Sequence, residues 1–520
     1  MEQTDIGDQK TLRAILKGLE VVRTRGSLDL PVRGIAYHSG SVEKGFVFVA
    51  VPGKTQDGHR FVQDALQRGA VAAVVERIDE TLPPAFTQVL VPNGRRALAV
   101  LGANFYGHPA SALTLVGITG TNGKTTTAHI LEAILAAAGL RVGLLGTIEY
   151  RYGDQRLPAP NTTPESLDLQ RILRAMVDAG VTHGVMEVTS HALDQSRVLG
   201  CFFRGAVFTN LTRDHLDYHG TMETYLATKM RLFEEYLLPE AEGGWAVLNA
   251  EDPASGEIQS RCRARVIRYG YDTRADFHAT RWAGGLDGTD MTIRYPGGEV
   301  EVSTPLLGQP NVLNALAACA CAWALGVAPE RWEEGLRAMG QVPGRFEPVI
   351  SARTAGVRGA SLLVDYAHTP DALDRALSSA RGLTRGRLIC VFGCGGERDQ
   401  GKRPLMAQAA ARHCDLVVVT SDNPRGESPS AIIEQVVRGF EGMEIRRVSL
   451  GEGQYVDRHP VYAVIEDRRE AIREAIGCAS SGDLVVVAGK GHETYQILGS
   501  MRIPFDDREV ARQALEEAGE

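Results

Sequence analysis

The sequence predicts a three-domain α/β protein, and three observations carry that prediction. Short apolar runs alternate with helical patterns through most of the 520 residues, the signature of parallel sheets covered by helices. A chain this long, 44% hydrophobic and 23% charged, exceeds what one core serves and suggests about three domains. A glycine-rich turn at Gly120–Gly123 joins an apolar run (Leu113–Ile118) to a helical pattern (Thr126–Ala138), which puts a phosphate-binding unit in the middle of the chain.

Residues 1–112 form the first expected domain, a small α/β module. Its strands are Gly45–Val51, Val71–Val75 and Gln88–Val91, and its helix is Gly58–Gln67. The second expected domain, 113–341, continues the alternation with the buried run 142–146, a helix Ser166–Ala179, and strands at 184–188 and 205–211, each followed by polar residues. The third, 342–520, opens at Val342-Pro343-Gly344-Arg345 and carries apolar strands at 362–367, 387–393, 415–422 and 483–491 with helices between them, a second doubly wound sheet of Rossmann-like type. No internal repeat or low-complexity segment interrupts this pattern.

Bulk properties exclude several classes. A net charge of −8 argues against a nucleic-acid partner, so an anionic substrate must be met by local basic pockets. The eight cysteines include no C-x-x-C pair and read as reduced core thiols. The acidic start lacks an apolar targeting segment, and no stretch of about 18 apolar residues occurs. A cytoplasmic protein without a membrane partner is expected.

The strongest chemical signal is Gly120, Thr121, Asn122, Gly123, Lys124, Thr125 and Thr126. Backbone N–H groups and the helix N-terminus suit phosphate oxygens, Lys124 adds a point charge, and the Thr125 hydroxyl suits Mg²⁺. The loop is a shortened variant, with Ile118 and Gly117 where the usual pattern has its first glycine. It predicts an ATP or GTP site.

In open parallel sheets chemistry collects at the carboxyl ends of strands, so the polar residues after each apolar run are the candidates. Glu187 ends one strand and either completes a magnesium site with Thr125 or caps the next helix. His215 follows another strand and Lys229 lies on the helix beyond it; each alone reads as a structural hydrogen bonder or a solvated charge, and together with Glu187 they suggest a metal centre. Asn161-Thr162-Thr163-Pro164 reads locally as a helix N-cap with proline at the first position. Asn311 and Asn314 read as cap and first-turn residues of an Ala-rich helix, and Asp422-Asn423-Pro424-Arg425 as an Asn-Pro turn at a sheet edge.

Taken in order, the segments around Gly120–Thr127, Asn161–Ser166, Met186–Arg197, Phe208–Gly220, Ala227–Phe233, Gly344–Glu347, Asp365–Leu373, Gly393–Pro404 and Gly489–Gln496 resemble the Mur ligases of peptidoglycan synthesis over nearly the whole chain. The resemblance implies a UDP-binding N-terminal domain, a central ATPase domain and a C-terminal domain that takes the incoming amino acid. It implies ATP-dependent amide formation through an acyl phosphate, joining meso-diaminopimelate to UDP-MurNAc-L-Ala-D-Glu, by a monomer. It carries catalysis onto Lys124, Glu187, His215 and Lys229, with Lys229 carbamylated by CO₂ to become a Mg²⁺ ligand beside Thr125, Glu187 and His215. ATP contacts fall on Gly120–Thr126, Asn311, Asn314, Arg345, Asp365 and His368.

For the UDP-sugar dipeptide the resemblance implies Tyr37, Ser39, Lys54, Thr55 and Gln56 in the first domain, and Thr162, Thr163, Thr189, Gln195 and Arg197 in the second. For diaminopimelate it implies Arg398, Asp422, Asn423, Pro424, Arg425, Gly489 and Glu493, with Arg425 facing the distal carboxylate and Glu493 the distal amino group. Thr189 stands where the family usually has Ser, and Glu397 where it usually has Asp. Three other readings stay open: a lysine-adding ligase, a ligase of folylpolyglutamate synthase type, and a non-catalytic nucleotide-dependent binding protein.

Overall fold

The computed structural model describes residues 10–53, 56–350, 360–450 and 460–518. Three large sheets organise them, each with an apolar layer on both faces, beside two small two-stranded ones. The chain is α/β throughout, as its alternating pattern predicts.

The first sheet has five strands in the order Arg23–Arg25, Thr87–Leu90, Ala72–Val75, Phe46–Val49, Gly34–Ala36, parallel except at the first pair. The expected helix at 58–67 begins as a 3₁₀ turn, Gly58–Phe61, before the α-helix Val62–Gln67. A longer helix, Gly94–Tyr106, starts where the Asn93 side chain accepts from the Arg96 N–H and ends at Gly107, whose φ of 72° is the left-handed geometry glycine favours. Its Ala97, Leu98, Leu101 and Phe105 bury against Val47, Val49 and Val89 of the sheet.

The central sheet has eleven strands. Its middle is parallel, in the order Val142–Leu145, His183–Glu187, Thr114–Thr119, Gly205–Phe208, Trp245–Asn249, Arg265–Gly270. Register then decides what stands beside the phosphate loop. Glu187 pairs with Ile118, and Phe208 with Thr119, so Glu187 and Thr209 both emerge next to Gly120.

Antiparallel pairings extend both edges, the second one beyond Phe277–Gly285, which itself joins Arg265–Gly270 in parallel. Glu149–Tyr152 and Gln155–Pro158 close one, and Phe277–Gly285, Gly288–Tyr295 and Gly298–Thr304 the other. The second extension departs from the expected pure helix-covered parallel sheet. Strand 298–304 alternates more and less exposed residues, Glu299 and Glu301 outward and Val302 and Thr304 buried, which is the pattern of an antiparallel strand covered on one face.

The C-terminal sheet runs Glu347–Pro348, Ser361–Asp365, Leu484–Ala488, Leu388–Phe392, Leu416–Val419, Val461–Val464, Arg446–Arg447, parallel after the first pair. Its strands read as near-continuous apolar runs because helices cover both faces. A buried ion pair joins two helices on one face of it: Arg468 and Asp507, both fully buried, meet at 2.7 Å, while the same guanidinium donates to the Ala488 carbonyl. The last helix, Asp507–Ala518, is thereby tied to the end of the strand that leads into Gly489.

All eight cysteines are free, six of them buried, as expected of reduced core thiols. Among the described residues no helix is long and apolar enough to cross a membrane.

Candidate active site

The phosphate loop leaves the central strand at Gly120 and enters the helix Lys124–Ala137 at Gly123. Glycine is required twice. Gly120 has φ 143° and a Cβ there would stand 1.9 Å from Thr209 Oγ1; Gly123 has φ 85° and a Cβ would stand 2.5 Å from Asn314 Oδ1. Gly123 caps the helix with no side-chain acceptor, so the first-turn N–H groups keep their donor capacity for an anion. The Lys124 ammonium folds back onto the carbonyls of Gly120 and Thr121, at 2.9 and 2.7 Å.

Beside the loop, Thr125 Oγ1 donates to Glu187 Oε2 at 3.0 Å. The other Glu187 oxygen accepts from the Thr147 N–H at 2.8 Å, and the Thr147 hydroxyl reaches Oε2 at 3.0 Å. Glu187 therefore does not cap the next helix; Thr189 does, accepting from the Ala192 N–H. Arg345 crosses from the C-terminal sheet, donates to Thr125 Oγ1 at 3.1 Å and stacks its guanidinium 4.4 Å from the Tyr366 ring. Thr121–Thr126, Glu187, His215, Asn311, Asn314, Arg345, Asp365 and His368 all line one cleft of about 310 Å³ between the two sheets.

Lys229 does not line that cleft. It lies beneath the loop, 1% exposed, and donates to the Gly120 carbonyl at 2.9 Å, the same oxygen that Lys124 uses. Its ammonium stands 4.4 Å from the Tyr225 ring, and among the described residues no carboxylate forms an ion pair with it. Burial, with Lys124 adding its positive charge, drives the Lys229 amine well below its ordinary pKa. The neutral amine is the form that adds CO₂. His215 takes a left-handed backbone, φ 54°, in contact with Asp214, and burial lowers its imidazole to about 4. It is neutral at pH 7, as a ligating imidazole must be. Among the described residues no three His, Cys, Asp or Glu side chains gather as a metal site by themselves.

Asn311 sits in the first turn of Gln309–Ala324, where Gly308 occupies the cap position; its amide donates to the Leu307 carbonyl and its oxygen accepts from Asn314. Asp365 accepts from the backbone N–H groups of Phe346 and Ala367, both at 2.7 Å, and so fixes the segment that presents Arg345. The His368 ring bonds the Tyr366 carbonyl.

The residues expected to meet the sugar dipeptide form a neighbouring network. The helix after Pro164 begins at Ser166 with Glu165 as cap, so Thr162 and Thr163 are not capping residues. Thr163 Oγ1 instead donates to the Glu187 carbonyl at 2.8 Å and receives the Thr189 N–H, while Thr162 Oγ1 meets Thr147 Oγ1 at 3.1 Å. Arg197 donates to Gln195 Oε1 at 2.8 Å and to the Thr163 carbonyl at 3.0 Å. The first domain reaches this network through Tyr37, which donates to Asp168 at 2.6 Å, and through Arg95, which the sequence reading missed and which bonds Glu165 and Gln195. Ser39 bonds the Asp64 carboxylate and Gln56 is exposed. Lys54 and Thr55 lie outside the described residues.

The diaminopimelate set gathers at the carboxyl edge of the C-terminal sheet. Asn423 Nδ2 donates to Glu493 Oε2 at 2.9 Å, and the Gly489 N–H donates to the Asp365 carbonyl at 3.0 Å, joining this pocket to the nucleotide cleft. Arg425 takes φ 53°, held there by bonds from its N–H to the Ile497 carbonyl and from the Gly499 N–H to its own carbonyl. Among the described residues its guanidinium bonds only backbone carbonyls, Gly396 at 2.7 Å and Asn423 at 3.5 Å. Arg398 stands at the exposed rim, flanking Gly395 as Arg425 does.

Three family models match in chain order: "Mur ligase family, catalytic domain" over residues 31–106, "Mur ligase middle domain" over 118–322 and "Mur ligase, glutamate ligase domain" over 344–491. The chain is also similar almost end to end to curated proteins. A UDP-N-acetylmuramoyl-L-alanyl-D-glutamate--2,6-diaminopimelate ligase of Geobacter metallireducens is 45% identical over 95% of this chain and 96% of its own.

This chain belongs to the Mur ligase family.

A Mur ligase of the same name from Geobacillus thermodenitrificans is 47% identical over 98% of this chain and 99% of its own. A solved structure under that name matches at 30% identity and TM-score 0.66, covering 99% of this chain and 100% of that one. The Mur ligase fold is likewise shared with a MurF ligase from Thermotoga maritima solved with ADP, at 20% identity and TM-score 0.62, over 94% of this chain and 97% of that one.

The sequence reading missed Thr147, which holds both oxygens of Glu187. It follows the strand Val142–Leu145 at the same sheet edge as Glu187, so the rule that chemistry collects at carboxyl ends points to it.

Proposed function

We propose that the protein is an ATP-dependent ligase that joins meso-diaminopimelate to UDP-MurNAc-L-Ala-D-Glu. The observation that carries the choice of amino acid is the Asp422–Arg425 turn. Among the described residues no carboxylate pairs with the Arg425 guanidinium, so its bidentate capacity is free for a substrate carboxylate. The near end-to-end similarity to diaminopimelate ligases supports the same reading.

In this reading residues 1–112 bind the UDP end, 113–341 bind ATP and activate the dipeptide, and 342–520 present the amino acid. The first-turn N–H groups and Lys124 hold the β- and γ-phosphates, and Arg345 reaches over them from the C-terminal sheet. Asn311 and Asn314 shape the adenine side. Thr125, Glu187, His215 and a carbamate on Lys229 would hold Mg²⁺, which supplies charge neutralisation for phosphoryl transfer. The donor set fits: a hydroxyl and a carboxylate already in contact, and a buried amine with no anion of its own. Thr162, Thr163, Thr189, Gln195 and Arg197 orient the dipeptide so that its carboxylate oxygen receives the γ-phosphoryl group. The other amino group of the incoming amino acid, the one not faced by Glu493, then attacks the acyl carbon as the free amine, and phosphate and a proton leave.

No protein nucleophile takes part, so an oxygen of the dipeptide carboxylate must end in phosphate. With ¹⁸O in that carboxylate, released phosphate is expected to carry one ¹⁸O atom per turnover. Phosphate free of label, with amide still formed, contradicts the acyl phosphate.

A further inference from the structure

Lys490 plays no part in the roles assigned above, yet it is 0% exposed and lies in the middle of the amino-acid pocket. It follows the strand Leu484–Ala488, between Gly489 (φ 118°) and Gly491 (φ 52°), two left-handed residues that turn the chain sharply and drive the lysine inward. Its ammonium donates to Asn423 Oδ1 and Glu493 Oε2, both at 3.1 Å, and forms an ion pair with Asp422 Oδ1 at 3.5 Å, which makes no hydrogen bond among the described residues. A buried ammonium is tolerated only when its charge and donors are matched, and here all three matches are residues expected to bind substrate.

The bonding leaves Glu493 asymmetric. Its Oε2 accepts from both Lys490 and Asn423 Nδ2. Among the described residues its Oε1 has no partner, and the side chain keeps 17% of its surface exposed. One oxygen is locked inward and the other is offered outward. Asn423 is locked as well, because its Oδ1 also accepts from the Ile497 N–H at 3.0 Å.

We infer that Lys490 is the positioning residue of this pocket, holding Glu493 and Asn423 so that Glu493 Oε1 receives the distal ammonium of the incoming amino acid. Lys490 itself never touches substrate. The inference rests on the reading of the pocket proposed above. Without the lysine, Asp422 and Glu493 lose the cation they share, and the buried Arg468 guanidinium is already taken by Asp507.

The test is steady-state kinetics of the full chain at saturating ATP and UDP-dipeptide, with meso-diaminopimelate and with L-2-aminopimelate, which keeps both carboxylates but lacks the distal amine. Lys490→Met is expected to raise KM for meso-diaminopimelate about 10- to 100-fold with kcat within about threefold, and to leave KM for L-2-aminopimelate and ATP nearly unchanged. In a Glu493→Gln background the same substitution should add less than about threefold, because the carboxylate it positions is gone. If Lys490→Met does not fold, Lys490→Gln is measured in the same way. Equal losses with both amino acids, a fall in kcat alone, additive effects of the two substitutions, or an unchanged KM each overturn the assignment. Failure of the wild type to use meso-diaminopimelate at all overturns instead the function on which it rests.

Discussion

Lys229→Ala is expected to lower kcat by about 100- to 1,000-fold, the range in which removing one preorganised electrostatic group from a reaction site falls. The amine is buried under the phosphate loop and bonded to Gly120, a residue of that loop. As an ammonium it would share one carbonyl with Lys124 and repel it; as a carbamate it changes sign and supplies the hard oxygens that Mg²⁺ prefers. Added short-chain carboxylate should restore part of the lost rate, because it returns an anion to the vacated space. Protein equilibrated with ¹³C-bicarbonate should show one carbamate carbonyl resonance that Lys229→Ala lacks. Activity of Lys229→Ala within about tenfold of wild type, or labelled wild-type protein without that resonance, contradicts the carbamate.

Arg425→Ala is expected to lower kcat/KM for meso-diaminopimelate by about 30- to 5,000-fold, the cost of about 2 to 5 kcal/mol when one partner of a buried charge pair is removed. The guanidinium is pre-placed by the left-handed backbone of Arg425 and by its bond to the Gly396 carbonyl, so little ordering remains to be done when a carboxylate arrives. L-lysine keeps the distal ammonium but has only a hydrogen where diaminopimelate carries that carboxylate, so the wild-type site leaves its desolvated guanidinium unpaired against lysine. The ratio of kcat/KM for meso-diaminopimelate over L-lysine should therefore collapse in the variant, since the substitution removes an attraction that only diaminopimelate makes. Equal losses for both substrates would mean that Arg425 does not read the distal group.

The parts of the fold and site that were legible in the sequence are those with local causes. Gly120–Thr125 is readable because a turn of two left-handed glycines between strand and helix is a short-range requirement. The parallel strands are readable because burial on both faces makes each a continuous apolar run. Glu187 was ambiguous locally, and its register against Ile118, set by a strand pairing nearly seventy residues away, decides between cap and site. Thr147 and Lys490 escaped notice because their meaning lies entirely in partners from distant strands, Glu187 in one case and Asn423 in the other. Asn161–Pro164 misled for the opposite reason: its composition suits a helix start, but the Thr163 hydroxyl is committed to the Glu187 carbonyl and the helix starts at Ser166 instead. The expectation of a carbamate on Lys229 comes from family resemblance alone, since no spacing or composition distinguishes such a lysine from an ordinary one.

The measurement that bears most directly on the account is ADP release by the purified chain with ATP, Mg²⁺ and UDP-MurNAc-L-Ala-D-Glu, across a panel of amino acids, with the mass of the nucleotide-sugar product read in each reaction. The account predicts rapid ADP release with meso-diaminopimelate, a product heavier by one diaminopimelate residue, and far slower turnover with L-lysine, D-alanyl-D-alanine or L-glutamate. Preference for L-lysine, or ADP release with no gain in product mass, would contradict it.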